Sequence, residues 1–96
     1  MYILATYDVD TSDKDGARRL RQVAKACQDY GQRVQNSVFE CEVTDAQFCT
    51  LKARIKGIID TSRDSIRFYI LGKNENRRVE VIGIKTSYKV NDALII

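Results

Sequence analysis

Histidine is absent from this 96-residue chain. His-Ser, His-Cys and His-metal arrangements are therefore excluded as sources of catalysis. The three cysteines, Cys27, Cys41 and Cys49, are odd in number and contain no Cys-x-x-Cys pair. Neither a disulfide framework nor a thiolate zinc site is indicated, and they read as small core or near-surface residues. The five glycines are scattered, with no Gly-rich nucleotide cradle. No apolar run approaches the roughly 20 residues that span a bilayer, and no cationic head followed by an apolar run opens the chain. The expectation is a cytoplasmic protein with no membrane partner. Charge is also nearly balanced, with Lys+Arg 16 against Asp+Glu 13 and a formal +3. That bias neither proves nor opposes a polyanionic partner, so the distribution of charge has to decide. Internal repeats, low-complexity tracts and dividing linkers are lacking, and a single domain over 1–96 follows.

What is present is a set of short, well-punctuated segments. Met1 to Val9 is almost continuously apolar, as suits an interior strand with both faces covered. Ser12 and Asp15 have capping-box spacing, and Ala17, Leu20, Ala24, Cys27 and Tyr30 share one helical face until Gly31, a natural terminator. This predicts a helix over about 14–30. Gln32 to Val43 is strand-like, and Gln35-Asn36-Ser37 offers a bend that would split it in two. Thr44 and Gln47 form a second box, with Phe48, Leu51, Ile55 and Ile58 lining a helix that ends near Asp60. Ile66, Phe68 and Ile70 then alternate in a strand ending at Gly72, and a further strand is expected from about Arg78 to Ile84. Residues 86–96 read as a linker followed by a strand built on Ala93-Leu94-Ile95-Ile96. The pattern is an α+β two-layer plait, with two helices on one face of the sheet. The other face is left uncovered, and a homodimer packed sheet to sheet would remove it from water.

Asp8 is the sharpest chemical signal, a carboxylate where the first apolar run stops. One Asp8 from each chain of a symmetric dimer would suffice for Mg2+, with Mn2+ as a substitute, because water and phosphate oxygens complete the octahedron. The competing reading is that Asp8 or Asp10 accepts backbone hydrogen bonds in the turn before the helix. Basic residues cluster nearby: Lys14, Arg18, Arg19, Arg21 and Lys25 on the first helix, with Arg33 just after it. Arg18, Arg19 and Arg33 are the candidate nucleic-acid contacts, set against a routine solvated face. A second group, Arg63, Arg67, Lys73, Arg77, Arg78, Lys85 and Lys89, lies in strands and loops. Asp10, Ser37 and Phe39 are candidate neighbours of Asp8; Ser37 could bind phosphate or steer water, and Phe39 reads more readily as core.

Tyr7-Asp8-Val9, Arg18-Arg19-Leu20 and the block Gly31-Gln32-Arg33-Val34-Gln35-Asn36-Ser37-Val38-Phe39-Glu40 together resemble the CRISPR-associated protein two family, over almost the whole chain. The resemblance implies a ferredoxin-like core with an extra C-terminal strand that crosses to the partner's sheet in a homodimer. It also implies that Asp8 is a metal-associated, catalytic aspartate of a nuclease acting on RNA or DNA. A bridging role between dimers of the CRISPR integrase, CRISPR-associated protein one, on prespacer DNA is implied as well. Three functions are thus open: an adaptation protein with Mg2+-dependent endonuclease activity, a noncatalytic DNA-bridging scaffold, and, remotely, a toxin ribonuclease on a similar plait.

Overall fold

A computed structural model describes residues 1–72 and 78–84. The expected turn at Lys73–Arg77 and the crossing strand within residues 86–96 lie outside the described residues. Strand β1 (Tyr2–Asp8) leads to helix α1 (Lys14–Gln28), the hairpin β2 (Gly31–Gln35) and β3 (Val38–Glu42), helix α2 (Asp45–Ile58), and strands β4 (Ser65–Ile70) and β5 (Arg78–Gly83). The sheet order is β2-β3-β1-β4-β5, antiparallel at every pairing. This is the ferredoxin-like α+β arrangement, with β1 in the middle and β5 added beyond β4. No helix among the described residues is long and apolar enough to cross a membrane.

The long strand-like segment does split, at Asn36-Ser37, and the register of β2 on β3 shifts between Arg33 and Gln35. Helix α2 starts as its sequence predicts. Thr44 N–H donates to Gln47 Oε1 over 2.9 Å, and Gln47 N–H donates back to Thr44 Oγ1 over 3.1 Å. Helix α1 differs from expectation at both ends. Its N-cap is Asp13, whose carboxylate accepts from Gly16 N–H at 2.7 Å, in place of the Ser12/Asp15 box. It stops at Gln28, and Gly31 belongs to β2, where a side chain would fall 2.0 Å from the Glu40 carbonyl oxygen. Gly31 is therefore needed for close strand approach, not for a left-handed helix end.

Period-two alternation sends one face of the sheet to the helices. Ile3, Ala5 and Tyr7 of β1, Phe39 and Cys41 of β3, and Ile66, Phe68 and Ile70 of β4 are buried there. Val23, Ala26 and Cys27 from α1 and Phe48, Leu51 and Ile55 from α2 close the layer. Gly16 lets the start of α1 lie against the Asp10–Thr11 backbone, and the buried face of α1 runs through Val23, Ala26 and Cys27, with Leu20, Ala24 and Tyr30 partly buried at its margin. Phe48 meets Phe68 edge to face at 5.2 Å. On the opposite face the register brings together Leu4 with Tyr69, Thr6 with Val38, and Arg67 with Val81. Among the described residues no element covers that face.

Candidate nucleic-acid and metal site

The end of the sheet where β1 stops carries the chemistry. Asp8 pairs in register with Ser65, and Ser65 with Gly83, so three strands end side by side. Asp8 lies on the open face and is exposed, because its neighbours in alternation, Tyr7 and Val9, go into the core. On the other flank the Ser37 carbonyl accepts from Tyr7 N–H at 3.1 Å, which places Ser37 beside the strand end.

The other acids at this end are all engaged. Asp10 accepts from Ser12 N–H at 3.0 Å and from Arg63 Nε and Nη2 at 3.1 and 3.0 Å. The Ser12 donors first, and then Arg63, lower its carboxyl to about 2. Asp13, besides capping α1, takes Arg63 Nη1 at 2.8 Å; Arg63 and then the Gly16 N–H hold it below the ordinary carboxylate value. Asp64 is 0% exposed. Arg19 Nε donates to its Oδ2 at 2.8 Å, Asp60 N–H to Oδ2 at 2.9 Å, and Asp10 N–H to Oδ1 at 2.9 Å. Burial is the largest effect on this carboxyl and pushes it up, but Arg19 and the two backbone donors together outweigh it and the net direction is down.

Asp8 has no such partner: no hydrogen bond or ion pair to its carboxylate is formed among the described residues. The turn-capping alternative therefore belongs to Asp10 and Asp13, which do make those bonds. As a donor set, Asp8 contributes one carboxylate, and no group of three or more His, Cys, Asp or Glu side chains is placed to hold a metal among the described residues. An exposed, unpartnered carboxylate suits a hard cation that takes one or two protein oxygens and keeps its waters.

The other expected site residues separate. Arg18 is exposed and makes only a surface pair with Asp15 at 2.9 Å, leaving it available to phosphate. Arg33 is exposed on β2. Arg19 departs from the expected solvent-facing phosphate contact. Its side chain is 12% exposed and tied to Asp64, since helical spacing turns it inward from Arg18. Phe39, 1% exposed, lies on the helix-facing side and stacks with Tyr7 at 6.2 Å, so it is on the other side of the sheet from Asp8. Tyr7 is likewise core, its hydroxyl donating to the Asn36 carbonyl at 3.2 Å. In the second basic group, Arg63 is bound to Asp10 and Asp13 and Arg78 to Glu80; Lys73, Arg77, Lys85 and Lys89 lie outside the described residues. Sequence reading missed Asp64, and it placed Arg63 in the second basic group without its pairing to Asp10 and Asp13. The one local signal was a carboxylate directly before an alternating strand, and nothing in spacing linked Asp64 to Arg19, 45 residues earlier.

The family profile described as CRISPR associated protein Cas2 matches residues 1–79. A protein of Rhodospirillum rubrum named CRISPR-associated endoribonuclease Cas2 3 is 58% identical over 94 residues, covering 98% of this chain and 99% of its own. The CRISPR-associated endonuclease Cas2 of Halalkalibacterium halodurans is 55% identical over 95 residues, 99% of each chain. The crystal structure of Streptococcus pyogenes Cas2 at pH 6.5 superposes with a TM-score of 0.71 at 63% identity, over 86% of this chain and 100% of that one. With the family profile matched over residues 1–79 and identity above half over nearly the full length of both relatives, this chain belongs to the CRISPR-associated Cas2 family.

Proposed function

We propose that this protein serves CRISPR spacer adaptation as a homodimer, and that its paired Asp8 carboxylates hold Mg2+, or Mn2+, for endonucleolytic cleavage of phosphodiesters in RNA or DNA. The observation that carries the reading is the contrast at one end of the sheet: Asp10, Asp13 and Asp64 are tied down, whereas Asp8 on the central strand is exposed and has no partner among the described residues. The names of the R. rubrum and H. halodurans relatives, an endoribonuclease and an endonuclease, support phosphodiester chemistry and leave RNA and DNA both open. When bound, the cation supplies Lewis acidity at the phosphodiester and lowers the pKa of nearby water. Asp8 is the anionic anchor, the uncovered sheet face brings a second copy against it, and Arg18 and Arg33 position the phosphate backbone without reading bases. The chain has no imidazole to act as base. Its expected place is the cytoplasm, with the integrase and prespacer DNA.

Membership of the Cas2 family supports a second reading, in which the protein acts as a noncatalytic bridge between integrase dimers on prespacer DNA. Wild type and Asp8→Asn, freed of contaminating nuclease, are to be compared on labelled RNA and duplex DNA with Mg2+ or Mn2+, with and without EDTA. The proposal expects cleavage to fall by about 100-fold or more in the variant, with dimer mass and DNA affinity retained. Equal metal-dependent cleavage by both proteins overturns the role of Asp8. Spacer insertion supported by both, with no cleavage by either, selects the bridge.

A further inference from the structure

Asp64 joins four separate parts of the chain at the Asp8 end of the sheet. Its carboxylate takes Asp10 N–H from the β1–α1 loop, Arg19 from α1 and Asp60 N–H from the loop before β4. Arg19 Nη2 also donates to the Asp10 carbonyl at 3.3 Å, so the backbone two residues beyond Asp8 is held through both its N–H and its C=O. The main-chain carbonyl of Asp64 accepts Ile84 N–H at 3.0 Å, which fixes the end of β5. Ser65, the next residue, is the register partner of both Asp8 and Gly83.

We infer that Asp64 is a positioning residue that sets the placement of Asp8 and of the end of β5 together, through Asp10 on one side and Ile84 on the other. Its two oxygens accept only, from donors on three elements, and no neutral side chain of the same shape reproduces that. A buried carboxylate with this many donors is rigid, because losing any of them leaves a desolvated charge or an unpaired N–H. The consequence rests on the proposed role of Asp8: the end of β5 is clamped by the same residue that clamps the cation anchor. The end of β5 and the Asp8 site are mechanically coupled in each chain.

The test is amide hydrogen exchange on the full-length protein, wild type against Asp64→Asn, at a temperature where both are folded. Exchange at Asp10 and at Ile84 is expected to accelerate together by about tenfold or more, while amides in the β1–β3 ladder such as Cys41 keep their protection. A uniform rise across the sheet means a merely global role, and acceleration at Asp10 alone breaks the coupling; either result overturns the inference. Should Asp64→Asn fail to fold, Arg19→Lys keeps the charge near Asp64 but loses the guanidinium fork, and the same paired acceleration is expected at smaller size. The double variant Arg19→Met/Asp64→Leu removes the buried pair outright and is expected to recover stability but not Asp10 protection. Mn2+-induced broadening of resonances around Asp8, measured alongside, is expected to shift to higher Mn2+ in Asp64→Asn. These readouts need no cleavage, so they judge Asp64 even if Asp8→Asn proves as active as wild type and the nuclease reading falls.

Discussion

The guanidinium carbon of Arg33 lies 5.2 Å from the centre of the Phe39 ring. Phe39 is core and Arg33 is exposed, so a cation–π contact fixes one basic side chain at the rim of the sheet while its outer nitrogens stay wet. Arg18 is free in the same sense on α1, whereas Arg19 is consumed by Asp64. Arg18→Gln and Arg33→Gln are each expected to reduce the salt slope of duplex DNA binding by about 1. Arg19→Gln is expected to cost stability instead, about 3 kcal/mol, since it strands a buried carboxylate that retains two N–H donors. Filter binding over a salt series and urea denaturation separate the two classes; an unchanged slope for Arg18 and Arg33 makes them solvated surface.

The uncovered sheet face predicts the oligomeric state. Light scattering over a concentration series should give roughly twice the 11.0 kDa chain mass. Leu4, paired with Tyr69 on that face, is the position to disturb: if a second copy packs there, Leu4→Lys places an unpaired charge against it and should give monomers. A stable wild-type monomer at every concentration would rule the dimer out.

The thiols should react unequally. Cys27 and Cys41 are buried, and burial first, with the neighbouring Cys41 second, pushes the Cys27 thiol up to about 12; burial also raises Cys41. Cys49 is exposed on α2. A thiol reagent at mildly alkaline pH should label one site per native chain and three after unfolding, and Cys49→Ser should remove the native signal. Rapid labelling of all three in the native state would contradict the packing of α1 on the sheet.

Acid should unfold the protein through its loop carboxylates. Their folded values lie below the unfolded value of about 3.9, so their contribution is complete above that value and is lost as pH falls through the folded ones. With Asp10 lowered to about 2 and Asp13 and Asp64 also lowered, the loss falls between about pH 4 and pH 2. Thermal midpoints should drop across that window in wild type. In Asp64→Asn the midpoint should start lower at pH 7 and change less between pH 4 and 2, and an identical slope in both proteins would remove Asp64 from the account.

Gly83 has φ +102°, and a side chain there would fall 2.1 Å from the Asp64 carbonyl oxygen. Gly83→Ala must therefore strain the backbone and open the Ile84-to-Asp64 hydrogen bond, at a cost of about 2 kcal/mol or more. Urea denaturation measures this. A variant as stable as wild type would mean that β5 does not end in the described turn.

Local chemistry was legible from the sequence because it depends on residues a few positions apart. The Thr44/Gln47 box, the break at Asn36-Ser37 and the period-two faces of β1, β3 and β4 all follow from spacing, and so does Asp8 as the acid at the end of a buried strand. The choice of Asp13 over Ser12 as the α1 cap already lay beyond that reach, since Arg63 from another loop helps hold Asp13 in place. Only the tertiary structure could decide which of the neighbouring arginines faces solvent and which acid is left exposed. Arg19 faces Asp64 because the crossover of α1 and the loop before β4 converge at one end of the sheet, across 45 positions of sequence. Their ion pair, with Asp10 drawn into it, engages Arg19 and Asp64 with each other and away from Asp8. What makes Asp8 available is thus the set of bonds its neighbours make with one another, and those bonds exist only once β1 and β4 lie side by side.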